Sequence, residues 1–180
     1  MMLRFISRLF YLFLLICIDA QAKMEVMFTP SLQCENKIEQ LIDKAENTVD
    51  IAVYSINNDK LVEAIERAYD RGVKVRILTD RLQAAGKSSK VTKLYSKGIN
   101  VRVHSVNKIE HNKFAIYDGA KASTGSYNWT NPASHKNSEN CSFITSNKKT
   151  VQEYQDRFNY LWKINKKSES EKWFKKKLKK

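Results

Sequence analysis

The chain has 180 residues, enough for one compact domain, and its 42 % hydrophobic content suffices for a packed core, which excludes global disorder. Five Gly and two Pro are too few for a loop-rich scaffold, so helices and strands must carry most of the chain. The net charge of +13 says little about fold but predicts attraction to polyanions, either nucleic acid or an anionic lipid surface.

Arg4 and Arg8 open the chain, Phe10 to Ile18 is an unbroken apolar run, and Ala20-Gln21-Ala22 follows as a small-x-small pattern. Residues 1–22 therefore read as a signal peptide with Lys23 as the mature N-terminus, and the chain as exported, either secreted or retained in a periplasm. An uncleaved N-terminal anchor is the competing reading, although the run is short for a membrane span. Cys17 falls in the leader, leaving Cys34 and Cys141, whose pairing the sequence does not decide. There is no C-x-x-C and no His/Cys cluster at metal-ligand spacing, so neither a metal nor another cofactor is expected.

Glu25 to Phe28 reads as a strand, and Ile38, Leu41, Ile42 and Ala45 recur at helical spacing from about Cys34 to Glu46. Thr48 to Ser55 is a β-branched, mostly apolar strand. Asn58 or Asp59 caps a helix through Leu61, Ala64, Ile65 and Ala68, which Gly72 stops. Val73 to Leu78 alternates as a strand; Ser88 or Ser89 opens a helix closed by Gly98; Ile99 to Val103 is a further strand. This order of strand and helix predicts βαβ units about a mainly parallel sheet. Then the pattern changes: Lys113–Tyr117 and Lys121–Gly125 form a hairpin about Asp118-Gly119, and Glu139 to Thr145 adds a strand. Val151, Tyr154, Phe158, Leu161 and Trp162 mark one face of a helix through Ile164. The fold class predicted is α/β, a mixed, largely parallel central sheet flanked by helices, with the domain over 23–164 and a lysine-rich tail over 165–180.

His111 and Lys113 are two apart at the start of a strand, so both side chains point to one face. Asp118 stands at the far end of that strand, Ser126 and Asn128 follow the return strand, and Glu139 opens the next. A neutral imidazole can attack a phosphodiester and split one hard displacement into two through a phosphohistidine. An ammonium on the same face neutralises the non-bridging oxygens, and Ser126 and Asn128 add neutral donors. Glu139 can accept from the second ring nitrogen of His111 and fix its tautomer. Departure of the alkoxide still requires a general acid, which one histidine does not easily supply while acting as nucleophile.

His-x-Lys-x-x-x-x-Asp followed after six residues by Gly-Ser, here His111, Lys113, Asp118, Gly125 and Ser126, resembles the signature of the phospholipase D superfamily. The similarity is greatest to small single-motif bacterial members, among them secreted phospholipases of the rickettsial type and periplasmic nucleases. It runs from about Val26 to Trp162 and includes Gly125 to Thr130 and Lys136 to Asn140. Trp129 stands where larger two-motif members often carry Asn; Asn128 matches the small ones. The resemblance implies a homodimer whose active site lies across a two-fold axis, with one His111 as nucleophile and its mate as acid. It also places Asp118 with His111 and Lys113 as the catalytic residues, Asp118 acting mostly as a support for the site.

Outside this set, His104 and His135 read as loop or surface histidines, and Gly86-Lys87-Ser88 as a helix cap rather than a phosphate loop. Tyr127 and Trp129 suit either stacking on substrate or packing beside the site. The tail reads as a solvated end whose Trp173, Phe174 and Leu178, set among lysines, suit contact with either a membrane interface or nucleic acid. Taken with export, this favours a secreted phospholipase D acting on phosphatidylcholine or similar lipids. A metal-independent endonuclease acting on DNA or RNA is the alternative, and a non-reactive polybasic binder the weakest reading.

Overall fold

A computed structural model describes residues 23–179, so the predicted leader and its cleavage site lie outside the described residues. Seven strands form one sheet: β1 (Met24–Phe28), β2 (Thr48–Val53), β3 (Lys74–Thr79), β4 (Asn100–Val103), β5 (Lys113–Tyr117), β6 (Lys121–Gly125) and β7 (Asn140–Ile144), in the order β1-β7-β6-β5-β2-β3-β4. Seven helices accompany them: α1 (Gln33–Asp43), α2 (Asp59–Asp70), α3 (Arg81–Ala84), α4 (Val91–Ser96), α5 (Asn131–His135), α6 (Lys148–Ile164) and α7 (Lys167–Leu178).

The mixed α/β sandwich is as predicted, but parallel pairing is confined to β2–β3 and β3–β4. The remaining four pairings are antiparallel: β1 crosses to the far edge beside β7 instead of joining β2, β5 runs against both β2 and β6, and β6 runs against β7. Alternation along a strand reports that one face is buried, not which neighbour it will find. A disulfide between Cys34 and Cys141, with Cα atoms 6.0 Å apart, ties α1 to β7 on this side.

Alternation also explains the two layers. Val49, Ile51 and Val53 of β2 face a core shared with α1, α2, α4 and α7, whereas Ala52 faces the other side with Leu78, Phe114 and Ile116. One long helix, α6, covers that second face with Val151, Phe158, Leu161 and Trp162. Asp50 is also buried on this face, where Arg76 donates to both its oxygens at 2.7 Å and Gln155 at 2.7 Å. The α2 cap is as expected, with Asn58 Oδ1 accepting from Leu61 N at 3.0 Å.

The C-terminal segment departs from expectation. It is not a tail but α7, with Phe174 fully buried, Trp173 nearly so, and the Phe174 ring stacked 3.7 Å from Tyr95. Ser170 Oγ accepts from Val103 N at 3.1 Å, so this helix also closes the edge strand β4. The lysines dominate the composition and hide the two apolar positions that dock, Trp173 and Phe174, while Leu178 stays exposed. Single-turn helices α3 and α5 have no signature in the sequence, since so few residues show no period.

Candidate active site

The strand registers align Met27, Cys141, Gly125 and, on the other side, Lys113, Val53, Thr79 and Val103 along one end of the sheet. Everything just beyond that row lies on one edge, which brings together the end of β2, the start of β5, the end of β6 and the start of β7. Candidate residues separated by nearly thirty positions in sequence (His111 to Glu139) thereby become neighbours. Crevices outside strand ends are where α/β sheets commonly place ligands.

His111 is exposed, and its ring packs edge-on against Tyr54 at the end of β2, centroids 4.7 Å apart. Lys113 is half-buried; its Nζ lies 5.1 Å from the centre of the Tyr54 ring and donates to the His111 carbonyl at 2.7 Å. Burial pulls the Lys113 ammonium below the ordinary lysine value, while the charges of Glu139 and Glu110 oppose that shift. Tyr54 thus touches both central groups, and Gln83 Nε2 fixes its hydroxyl at 2.9 Å. Nothing in its local sequence marks it; only its place at a strand end facing the histidine does. A cleft beside His111 and Lys113 runs toward Arg157 and Tyr154 of α6.

Ser126 and Glu139 form a unit of their own. Ser126 Oγ donates to Glu139 Oε2 at 2.5 Å and accepts from Asn140 N at 3.0 Å, while Asn137 Nδ2 donates to Glu139 Oε1 at 3.0 Å. The serine proton is therefore committed to Glu139 rather than free for a phosphate oxygen. Glu139 does not accept from His111 here: among the described residues the imidazole makes no hydrogen bond. Gly125, at φ +148°, lets β6 and β7 approach; a Cβ there would lie 2.3 Å from the Asn140 carbonyl oxygen. Asn128 Oδ1 is buried without a partner among the described residues, so this acceptor has capacity left for a hydrogen-bond donor such as an ordered water.

Asp118 is not part of this cluster. It sits at the opposite end of β5 with φ 53°, in a three-residue turn, Asp118 to Ala120, rather than the two-residue turn predicted. Its carboxylate accepts from Glu46 N at 3.0 Å, Asn47 N at 2.7 Å and Thr48 N at 2.9 Å. Burial raises its pKa, but these backbone amides together outweigh that and hold it below the usual carboxylate value. The catalytic assignment gives way to a clamp between the hairpin and the start of β2. Spacing alone could not separate the two, because the length of β5 carries its ends far apart.

Other expectations also shift. His104 is buried rather than on the surface, with Nδ1 accepting from Arg81 N at 3.0 Å; His135 is exposed as expected. Tyr127 and Trp129 are both core residues, Tyr127 OH pairing with Ser134 Oγ at 2.6 Å, so neither stacks on substrate. Gly86 to Ser88 forms a surface turn, and α4 begins later, at Val91. Among the described residues no group of three or more His, Cys, Asp or Glu side chains could hold a metal ion. No described helix is long and apolar enough to cross a membrane.

An α/β sandwich that sets an exposed imidazole and a half-buried ammonium on one strand end, beside a serine–glutamate pair, is suited to holding and attacking a phosphoryl group. Residues 38–162 match the family described as "Cardiolipin synthase, PLD-like domain", and the chain belongs to this phospholipase D-like family. It is 38 % identical over 125 residues to a phospholipase D of Rickettsia conorii, covering 69 % of this chain and 62 % of the relative. It is 36 % identical over 121 residues to a mitochondrial cardiolipin hydrolase of Chlamydomonas reinhardtii, covering 67 % and 54 %. The chain thus spans less than two thirds of the length of these relatives. Among solved structures it is similar to Nuc of Salmonella typhimurium, a phospholipase D family member, with a TM-score of 0.77 and 27 % identity over 81 % of this chain and 97 % of that one.

Proposed function

We propose that the protein is an exported phosphodiester hydrolase that cleaves glycerophospholipids such as phosphatidylcholine to phosphatidate and the head-group alcohol. The observation that carries this reading is the pair His111 and Lys113, side by side on Tyr54 at the open end of the sheet. The relatives named phospholipase D and cardiolipin hydrolase support a lipid substrate. The Cys34–Cys141 disulfide supports an oxidising compartment.

In this scheme a ring nitrogen of His111 attacks phosphorus, and the bond to the head-group oxygen breaks. Lys113, and the Asn128 amide through its Nδ2 donor, hold the non-bridging oxygens as charge develops. A second, protonated His111 from a partner copy gives its proton to the leaving alkoxide. That imidazole then takes a proton from water, whose oxygen attacks the phosphohistidine and releases phosphatidate. Exposure of His111 leaves room for such a two-fold partner. Asp118 serves by fixing the hairpin that carries β5, and Ser126 by orienting Glu139.

The net charge of +13 favours one second reading, the same chemistry on DNA or RNA. The deciding experiment uses residues 23–180 and a His111→Asn variant in EDTA, with phosphatidylcholine vesicles assayed for choline release and with plasmid and single-stranded DNA assayed for nicking. Choline release lost in the variant is the expected result. Nicking without choline release would make the chain a nuclease with the same residues in the same roles. Full activity in the variant would end the nucleophile assignment.

A further inference from the structure

An imidazole that attacks phosphorus must be held in orientation, and a hydrogen bond to its second ring nitrogen commonly does this. His111 has no such bond among the described residues, and Glu139, the carboxylate its spacing offered for the task, is engaged by Ser126 and Asn137. What His111 has instead is Tyr54. The two rings meet at 60° with centroids 4.7 Å apart, an edge-to-face geometry that favours one relative orientation of the pair. The same Tyr54 ring lies 5.1 Å from Lys113 Nζ, within the range of a cation–π contact. Lys113 Nζ also donates to the His111 carbonyl at 2.7 Å, so phenol ring, ammonium and histidine form one closed set of contacts.

Tyr54 is in turn held from behind. Its carbonyl accepts from Thr79 Oγ1 at 3.3 Å, which ties the end of β2 to β3, and its hydroxyl accepts from Gln83 Nε2 at 2.9 Å. Gln83 belongs to α3, which the fully buried Asp80 caps: Oδ1 accepts from Leu82 N at 2.8 Å and from Gln83 N at 2.9 Å. The other oxygen, Oδ2, accepts from Glu110 N at 3.2 Å, one residue before His111. Burying a carboxylate is costly unless donors satisfy it, and three backbone amides do so here. That one carboxylate fixes both the helix that holds the Tyr54 ring and the backbone that carries the histidine. His104, also buried, accepts from Arg81 N at 3.0 Å through Nδ1 and holds the start of α3 from a third side. All these contacts are internal to one chain, so none depends on what faces His111 across the strand-end edge.

We propose that Tyr54 is a positioning residue for the attack on phosphorus: its ring holds the His111 imidazole and the Lys113 ammonium in one relative orientation, and Gln83 and Asp80 hold the ring. This rests on the phosphodiester hydrolase reading above. Tyr54 acts through these two groups and not on the substrate itself. Fixing the nucleophile and the phosphate-holding charge before substrate arrives removes part of the entropy barrier to attack. Loss of the ring therefore lowers kcat more than it raises KM. The hydroxyl serves only as the anchor to Gln83, so a phenyl ring in its place retains most of the effect.

The test follows cleavage of the water-soluble diester bis(p-nitrophenyl) phosphate by residues 23–180 in EDTA, with turnover counted per molecule folded by circular dichroism. Tyr54→Leu, and Tyr54→Met as a second filler of the same space, should lower kcat by about 10–100-fold with KM within about threefold. Tyr54→Phe keeps the ring and should lose only about threefold. Gln83→Ala removes the same hydrogen bond from the other side, so the double variant Tyr54→Phe, Gln83→Ala should be no slower than the slower single one. The ring-proton resonances of His111, identified by their absence in His111→Asn, should move in Tyr54→Leu and stay in place in Tyr54→Phe. Full kcat in either Tyr54→Leu or Tyr54→Met overturns the proposal and leaves the enzymatic reading intact. Equal losses in Tyr54→Phe and Tyr54→Leu also overturn it, since the hydroxyl and not the ring would then act. A parent chain that cleaves no diester refutes the enzymatic reading. Ring-proton resonances unmoved in Tyr54→Leu would then refute the positioning as well, and displaced ones would uphold the orientation of His111 by the ring.

Discussion

Replacing Asp118 separates a clamp from a catalytic group. Its carboxylate accepts three backbone amides, at 2.7 Å, 2.9 Å and 3.0 Å, that otherwise have no partner in the turn before β2. Hydrogen bonds to a charged acceptor contribute about 1.5–3 kcal/mol each, but these amides lie near solvent and water replaces part of the loss. Asp118→Ala should therefore destabilise by about 2–4 kcal/mol, including the strain of Ala at φ 53°. For a chain of this size that is a fall in Tm of about 5–15 °C. Asp118→Asn keeps one acceptor oxygen and tolerates the left-handed backbone, so it should lose about half as much. The wild-type carboxyl titrates below its ordinary 3.8 in the fold, so its contribution is complete above that value and disappears as pH falls through the lower folded pKa. The Asn variant should lack this acid limb. The assay is a melt followed by circular dichroism, with diester turnover measured per folded molecule well below Tm. Turnover near wild type with a lowered Tm is expected; an unchanged Tm with turnover lost would refute the clamp and restore a catalytic role.

Lys113 must be charged to hold a phosphoryl oxygen and its pKa is lowered, so kcat/KM should fall with rising pH before an ordinary lysine would titrate, and Lys113→Ala should abolish that limb along with most activity. Cys34→Ala with Cys141→Ala opens a bridge spanning 107 residues and should destabilise by about 4 kcal/mol in urea unfolding. Dithiothreitol should reproduce that shift in wild type and not in the variant. Phe174→Ala removes a fully buried ring stacked on Tyr95 and should destabilise by about 3–5 kcal/mol in the same assay, whereas a free tail would show no change.

The sequence by itself determined most of the local structure and the chemistry. β-Branched runs marked β2 and β3, the 3.6-residue period marked α1, α2 and α6, and Asp118-Gly119 marked the hairpin, because each depends on contacts close along the chain. His-x-Lys put two side chains on one face for the same reason. What needed the tertiary structure were relations between distant segments: that β1 pairs with β7, that Cys34 meets Cys141, and that α7 docks on Tyr95 despite its lysines. The site divided along the same line. His111, Lys113, Ser126, Asn128 and Glu139 converge because the start of β5, the end of β6 and the start of β7 lie side by side at one edge of the sheet, whereas Asp118, in the same motif, is carried to the other edge by the length of a strand. Tyr54, which touches both His111 and Lys113, was invisible in the sequence. A strand's pairing partner decides what lies beside its end, and pairing is set by the packing of the whole sheet.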